Sequence, residues 1–192
     1  MPPRAEPAVS RYDGRAWRRL VLLADSHGAL AAPLLEALGA TDAIVHAGDV
    51  GDAAVLARLG AIAPLVAVRG NNDTWAAWPP ADHPLLDALP EAARIAVPGG
   101  DLLVIHGHQF PQAEARHAAL RRHFPDVRAI AYGHSHRRVV DRTGTPWILN
   151  PGACGRARVG AGASGLLLTV GSRGWRIAVL GPFAKDGRGI SG

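Results

Sequence analysis

The feature that most constrains this chain is a recurring junction: five short apolar runs each stop at a cluster of carboxylate, amide or imidazole side chains. Arg19–Ala24 stops at Asp25, Ser26 and His27, and Ala43–His46 stops just before Gly48 and Asp49. Leu65–Val68 leads to Gly70, Asn71, Asn72 and Asp73. Leu102–Ile105 leads to His106, Gly107 and His108, and Ala129–Tyr132 to Gly133, His134, Ser135 and His136. Apolar runs this short suit buried strands, covered on both faces. Between the first three lie segments of helical spacing, Pro33–Leu38 and Ala53–Leu59, with Gly39 and Gly60 placed to close them. Strand, helix, strand, helix, strand is the pattern of parallel βαβ units. In an open parallel sheet, ligands gather outside the carboxyl ends of the strands. Five such ends can converge on one rim.

The second half of the chain predicts more antiparallel pairing. Arg94–Val97 and Leu102–Ile105 flank the turn Pro98–Asp101 as a hairpin. Val139–Asp141 and Trp147–Leu149 flank Thr143–Pro146, and Leu166–Val170 and Trp175–Leu180 flank Gly171–Gly174. An amphipathic helix is expected over residues 112–123, and Trp75–Pro90 shows no clear period. No repeat or linker divides the chain. The expectation is a single α/β domain over residues 17–183, with a loose arm at 1–16 and a frayed tail at 184–192.

Composition narrows the function classes. At 192 residues the chain is long enough to bury its own core. With 48% apolar and 19% charged residues it is not a disordered protein, and its one cysteine, Cys154, excludes a disulfide framework. No apolar run approaches the ~18 residues of a membrane span. The segment before Leu20 has no apolar stretch of a secretory signal. A cytoplasmic setting without membrane association is the expectation. The net charge is +5, and the basic residues are 20 Arg and one Lys, Lys185. Arginine matches phosphate geometry. However, Ala, Gly, Pro and Arg are plentiful together, which points to codon bias, and no long block of like charge or aromatic-studded basic face marks a nucleic-acid module.

The side chains at the five junctions are Asp, His, Asp, Asn and His. That mix suits borderline divalent ions such as Mn2+, Fe2+, Co2+, Ni2+ or Zn2+ and is too rich in nitrogen for a Ca2+ or Mg2+ cage. Glycines before Asp49, Asn71 and His134 let the backbone turn tightly and bring each ligand inward. Each fragment alone is weak. In the order D-x-H, G-D, G-N-x-D, H-G-H, G-H-x-H, the set resembles the calcineurin-like metallophosphoesterase superfamily, most of all the small uncapped phosphodiesterases of bacteria and archaea. The resemblance spans roughly residues 19–180 and extends to Asn150, Pro151, Gly152 and Ala153.

The resemblance implies a β-sandwich of two mixed sheets flanked by helices. It also implies a dinuclear site, with Asp25, His27 and His136 on one ion, Asn71, His106 and His134 on the other, and Asp49 bridging both. Mn2+ comes first among the implied ions, with Ni2+, Co2+, Fe2+ or Zn2+ as alternatives. A carboxylate can span two ions about 3.5–4 Å apart, and a hydroxide between them is a nucleophile at neutral pH. The implied reaction is hydrolysis of a small phosphodiester. Nucleic acid is a less favoured partner, and a homo-oligomer is open.

One position departs from the family's pattern. The third motif often reads G-N-H-D or G-N-H-E, and its His helps the leaving group. Here Asn72 stands in that place, and an amide cannot deliver a proton as imidazole can. The implied catalytic set is therefore Asp49, Asn72 and, as a substitute imidazole lining the cleft, His108. Asp52 and Asp73 are placed to orient a ligand. Arg137, Arg138, Arg156 and Arg158 would clamp a phosphate or be solvated surface. His46 would pack in the core or sit behind the ligands, and Cys154 would be a small buried residue. Trp75 and Trp78 would roof the cleft or pack beneath it. His117 and His123 read as a solvated helix face, and His83 as loop.

Two other functions compete. A eukaryotic sorting-complex protein of this fold works as a binding module with an impaired site; here all seven positions carry competent ligands, which argues for an enzyme. Nucleases of the superfamily are usually longer, with extra DNA-binding or capping domains.

Overall fold

The computed structural model describes residues 7–110, 114–155 and 162–183. The elements are β1 (Val9–Asp13), β2 (Arg19–Leu23), α1 (Ala32–Glu36), β3 (Ala43–His46), α2 (Ala53–Gly60), β4 (Leu65–Ala67), α3 (His83–Ala88), β5 (Ala92–Val97), β6 (Gly100–Ile105), α4 (Glu114–His123), β7 (Ala129–Tyr132), β8 (Val139–Asp141), β9 (Trp147–Asn150), β10 (Ala163–Gly171) and β11 (Gly174–Phe183). They form two mixed sheets, of order β11-β10-β2-β3-β4 and β1-β5-β6-β7-β9-β8. In the first, β2, β3 and β4 run parallel while β10 is antiparallel to β2. In the second, β6, β7 and β9 run parallel.

Side-chain alternation along the strands builds the layers. Leu20, Leu22 and Ala24 face the second sheet and meet Ile95, Leu102, Val104, Ala131 and Leu149 in a core between the sheets. Val21, Leu23 and Ile44 point the other way, under Leu34, Val55, Leu59 and Leu86 of the helices. On the far face of the second sheet, Leu103, Ile105, Ile130 and Ile148 pack with Leu120 of α4. The result is helix, sheet, sheet, helix, with both faces of the central strands covered, which is why those strands are apolar throughout. Asp52 caps α2 by accepting the Ala54 N–H at 2.6 Å. Asp52 is thus a helix cap rather than a residue orienting a ligand.

Three other sequence expectations change. Within the arm expected at residues 1–16, Val9–Asp13 is a strand, paired parallel with β5 in the register Val9↔Ala92 to Asp13↔Ala96. Its burial alternates, and Tyr12 packs against the core between the sheets. A half-exposed edge strand carries no apolar run; its partner β5 supplies the order. The aperiodic stretch Trp75–Pro90 contains α3, which buries only Leu86 and so shows no pattern. His117 is not on a solvated face: its Nε2 lies 3.0 Å from the Tyr132 hydroxyl and its Nδ1 3.6 Å from Asp141. His123 is exposed, as expected, and meets the Phe124 ring edge-on at 4.6 Å. The tail at 184–192 lies outside the described residues. Among the described residues no helix is long and apolar enough to cross a membrane.

Removing residues 1–13 uncovers the edge of β5 and the pocket that Tyr12 fills. Burying one large side chain is worth about 1.5–3 kcal/mol. The thermal midpoint should therefore fall by ~4–10 °C in a melting experiment, whereas a loose arm would leave it unchanged.

Candidate metal centre

Every sequence-nominated ligand stands at or just beyond the carboxyl end of a parallel strand, and the loops interlock. The Asp25 N–H donates to the Gly48 carbonyl at 3.0 Å and the His27 N–H to the Asp49 carbonyl at 3.0 Å, so the loops after β2 and β3 run side by side. The His134 N–H donates to Asp25 Oδ1 at 3.0 Å and joins the second sheet's loop to the first. His106 also crosses between sheets, its Nδ1 lying 2.8 Å from the Ala47 carbonyl. The carbonyl can only accept, so Nδ1 carries a proton; with a cation bound, Nε2 would offer it a lone pair.

The side chains form two overlapping groups around Asp49. In one, His27 Nε2 lies 3.1 Å from His136 Nε2 and 3.8 Å from Asp49 Oδ2, and His136 Nε2 lies 3.6 Å from Asp25 Oδ1. Ligand atoms of Asp25, His27, Asp49 and His136 all fall within 4.8 Å of one another. In the other, His106 Nε2 lies 3.0 Å from Asn71 Oδ1 and 3.4 Å from Asp49 Oδ1. The His134 ring meets the His106 ring edge-on with centroids 5.2 Å apart. Asp49 thus turns one oxygen toward each group. His108 sits beside the second, 5.5 Å from the His106 centroid and 6.3 Å from that of His134.

These residues fit divalent cations. Two atoms bound at about 2.0–2.2 Å to one ion stand roughly 3–3.7 Å apart, and four of the five distances above, 3.0, 3.1, 3.4 and 3.6 Å, fall in that range. Asp25 Oδ2 is enclosed without a hydrogen bond. Burial pushes the Asp25 carboxyl up to about 7, and the His106 charge, which pulls the other way, does not offset it. Burial also opposes ionisation of Asp49, but hydrogen bonding from His106 and the His106 charge, joined by bonds from Asn72, outweigh it and hold Asp49 well below the usual carboxylate range. For His106, burial is outweighed by Asp49 and then Asp25, and its pKa rises.

The backbone is strained at these residues. Among the described residues, the non-glycine residues with left-handed φ are Asp25 (55°), His27 (47°), Asp49 (54°), His134 (65°) and His136 (55°). All five are nominated ligands. That region costs an L-residue about 1–3 kcal/mol and persists only where the surroundings over-determine it. Asp73, fully buried, does so here: it accepts N–H bonds from Val50 at 3.1 Å, Gly51 at 2.8 Å and Gly70 at 2.8 Å, and from the Trp78 indole at 3.3 Å. Asn150 does the same for the last loop, donating to the Gly133 carbonyl at 2.8 Å. Gly48 has φ 88°, and a Cβ there would overlap the His106 ring. At Gly70 a Cβ would overlap the Asp49 carboxylate and backbone nitrogen.

The remaining nominated residues fall out as follows. Asn72 is bound to Asp49, its Nδ2 donating to Oδ2 at 2.6 Å and its N–H to Oδ1 at 2.9 Å. His46 is buried, held neutral by burial with its pKa lowered to about 4, and hydrogen-bonded to Ser26 Oγ at 3.0 Å. Cys154 is buried beside it, 3.8 Å from His46 Nε2, with a thiol that burial pushes up to about 12. Trp78 packs in the core, while Trp75 is exposed and stacks on His83 at 5.1 Å. Arg137 and Arg138 are exposed; Arg156 and Arg158 lie outside the described residues. Arg116 of α4 is buried although it is an arginine, which spacing alone did not signal.

The two-sheet sandwich thus gathers carboxylates, an amide and imidazoles on one strained rim, a donor set that could hold divalent cations. The sequence profile of the calcineurin-like phosphoesterase superfamily domain matches residues 19–173, and the chain belongs to that superfamily. No curated protein matches it. Its fold is shared by Vps29 complexed with Zn2+ from Entamoeba histolytica (19% identity, 84% of this chain and 91% of that one, TM-score 0.68). It is shared too by an archaeal phosphodiesterase (20% identity, 84% and 99%, TM-score 0.63) and by YfcE, a phosphoesterase from E. coli (24% identity, 84% and 97%, TM-score 0.56).

Gly70→Ala should disturb Asp49 while sparing the core. Overpacking of this kind costs about 1–3 kcal/mol. Mn2+ affinity measured by calorimetry should fall roughly tenfold or more, with the far-ultraviolet circular dichroism unchanged.

Proposed function

We propose that this chain is a metal-dependent phosphodiesterase with a dinuclear centre, in which Asp25, His27 and His136 hold one ion, Asn71, His106 and His134 hold the other, and Asp49 is shared. The observation that carries this reading is the Asp49 carboxylate, whose Oδ2 faces His27 at 3.8 Å and whose Oδ1 faces His106 at 3.4 Å. Mn2+ is the favoured ion. Divalent ions bound there would acidify a water and neutralise phosphoryl oxygens as charge builds in the transition state.

The chain's own residues do the rest. The Ala47 carbonyl fixes the His106 tautomer, and Asn72 holds the Asp49 carboxylate by two donors. Asn72 therefore acts as a positioning residue and gives no proton to a leaving group. His108, on the same side as His106 and His134, is the imidazole proposed to move that proton. A general acid contributes about 10²–10⁴-fold, so a weak or absent acid favours diesters with a good leaving group. A cytoplasmic enzyme acting on a small diester is the reading that follows. A protein-binding scaffold, the second reading, is raised by the shared fold of Vps29; it predicts no turnover even with the metal positions filled.

Metal-loaded protein assayed against a panel of phosphodiesters, monoesters and DNA should hydrolyse aryl phosphodiesters best and lose activity to a chelator. Asp49→Asn should lower kcat/KM by ~10³-fold or more, beyond any single non-bridging change, and His123→Ala should stay within about twofold. Turnover that survives Asp49→Asn would remove the shared-carboxylate site.

The leaving-group dependence checks the role of position 72. Rates across aryl and alkyl diesters should fall steeply as leaving-group pKa rises. Asn72→His should flatten that slope; equal slopes in two folded, metal-loaded proteins would detach the preference from Asn72.

A further inference from the structure

Arg116 is the one buried arginine among the described residues, with 4% of its surface exposed. Its Nε is enclosed and makes no hydrogen bond. Other arginines show what a structural arginine looks like here. Arg94 bonds the carboxylates of Asp101 and Asp126, the latter at 2.8 Å. Arg121, five residues along α4, bonds Asp141 at 2.8 Å and the Pro146 carbonyl at 3.0 Å. Arg116 has no carboxylate partner among the described residues. Its contact is the Tyr132 ring, with the guanidinium carbon 5.7 Å from the centroid.

That contact fixes where the charge lies. Tyr132 ends β7, two residues before His134. A Cβ at Gly107, the residue between His106 and His108, would crowd the Tyr132 side chain, so the ring under the guanidinium sits against the loop that carries those imidazoles. Arg116 therefore stands behind the rim on the side of the second sheet. Desolvating an ion is expensive, and a cation–π contact returns only a small part of the cost. The missing partner is an anion. A guanidinium offers planar paired donors that match phosphate oxygens.

We infer that Arg116 is a substrate-binding residue whose guanidinium takes a non-bridging oxygen of the phosphoryl group held at the rim. The inference rests on the phosphoesterase reading of the site. It assigns anion recognition to α4 instead of to the exposed Arg137 and Arg138. It also accounts for a buried charge that the fold leaves unmatched.

The experiment uses the metal-loaded full chain, Arg116→Met, which keeps length without charge, and Arg116→Lys. Inorganic phosphate binding is read by calorimetry, metal content by elemental analysis, stability by thermal melting and turnover with an aryl phosphodiester. Arg116→Met should weaken phosphate binding by about 10–100-fold and raise KM similarly. Metal content should be unchanged, and the melting midpoint should be no lower, because an apolar side chain replaces an unmatched buried charge. Arg116→Lys should fall between the two and serves if Arg116→Met does not fold. Phosphate affinity within twofold of wild type, or a loss of bound metal in either variant, would overturn the inference. An active wild type with that result sinks the role of Arg116 alone. A wild type that binds phosphate through Arg116 yet cleaves no ester sinks the phosphoesterase reading and leaves the anion site standing.

Discussion

The left-handed turn at the strand ends is the constraint on which the site depends. A strand that simply continued would carry Asp25, His27, Asp49, His134 and His136 away from one another. A left-handed φ of 47–65° at each of these residues bends the chain sharply out of the strand direction. Such turns persist only when held, and Asp73 and Asn150 hold them with side-chain bonds to the loop backbones. The glycines complete the arrangement by leaving room: Gly48 lets the His106 ring approach, and Gly70 lets Asp49 sit against the loop after β4.

The electrostatics follow from the same crowding. Closing two sheets over the rim removes water from Asp25 and Asp49, and the two acids answer differently. Asp25, with an enclosed oxygen and no donor to it, is driven toward its neutral form. Asp49, with Asn72 and His106 around it, stays ionised. A cation suits both states by replacing the proton on one and the neighbouring charge on the other. On the side of α4 the demand is reversed, because Arg116 is a buried cation without a carboxylate. One rim thus presents a need for cations and a need for an anion, the pairing that a phosphate ester and its metals would meet.

Much of this was legible in the sequence. β3 and β7 match their apolar runs residue for residue, and all seven nominated ligands meet on one rim, because buried parallel strands must be apolar and must end where the chain turns polar. What escaped was order supplied from elsewhere in the chain. β1 is a strand only because β5 offers an edge, and α3 buries too little to show a period. Asp52 has the residue type of a ligand and the position of a helix cap, and only the backbone distinguishes them. His117 and Arg116 share a charged helix, so neither its contact with Tyr132 nor the burial of the arginine could be read from spacing. The left-handed backbone was hinted at by the glycines, yet it falls on the ligands themselves.

The central claim is that Asp49 is shared between two ions. Anomalous diffraction from crystals of the Mn2+-loaded protein, recorded at the manganese edge, tests it most directly. Two peaks per chain are expected to flank the Asp49 carboxylate, one against Asp25, His27 and His136 and the other against Asn71, His106 and His134. A single peak at saturating Mn2+, or two peaks of which one lies away from Asp49, would contradict it.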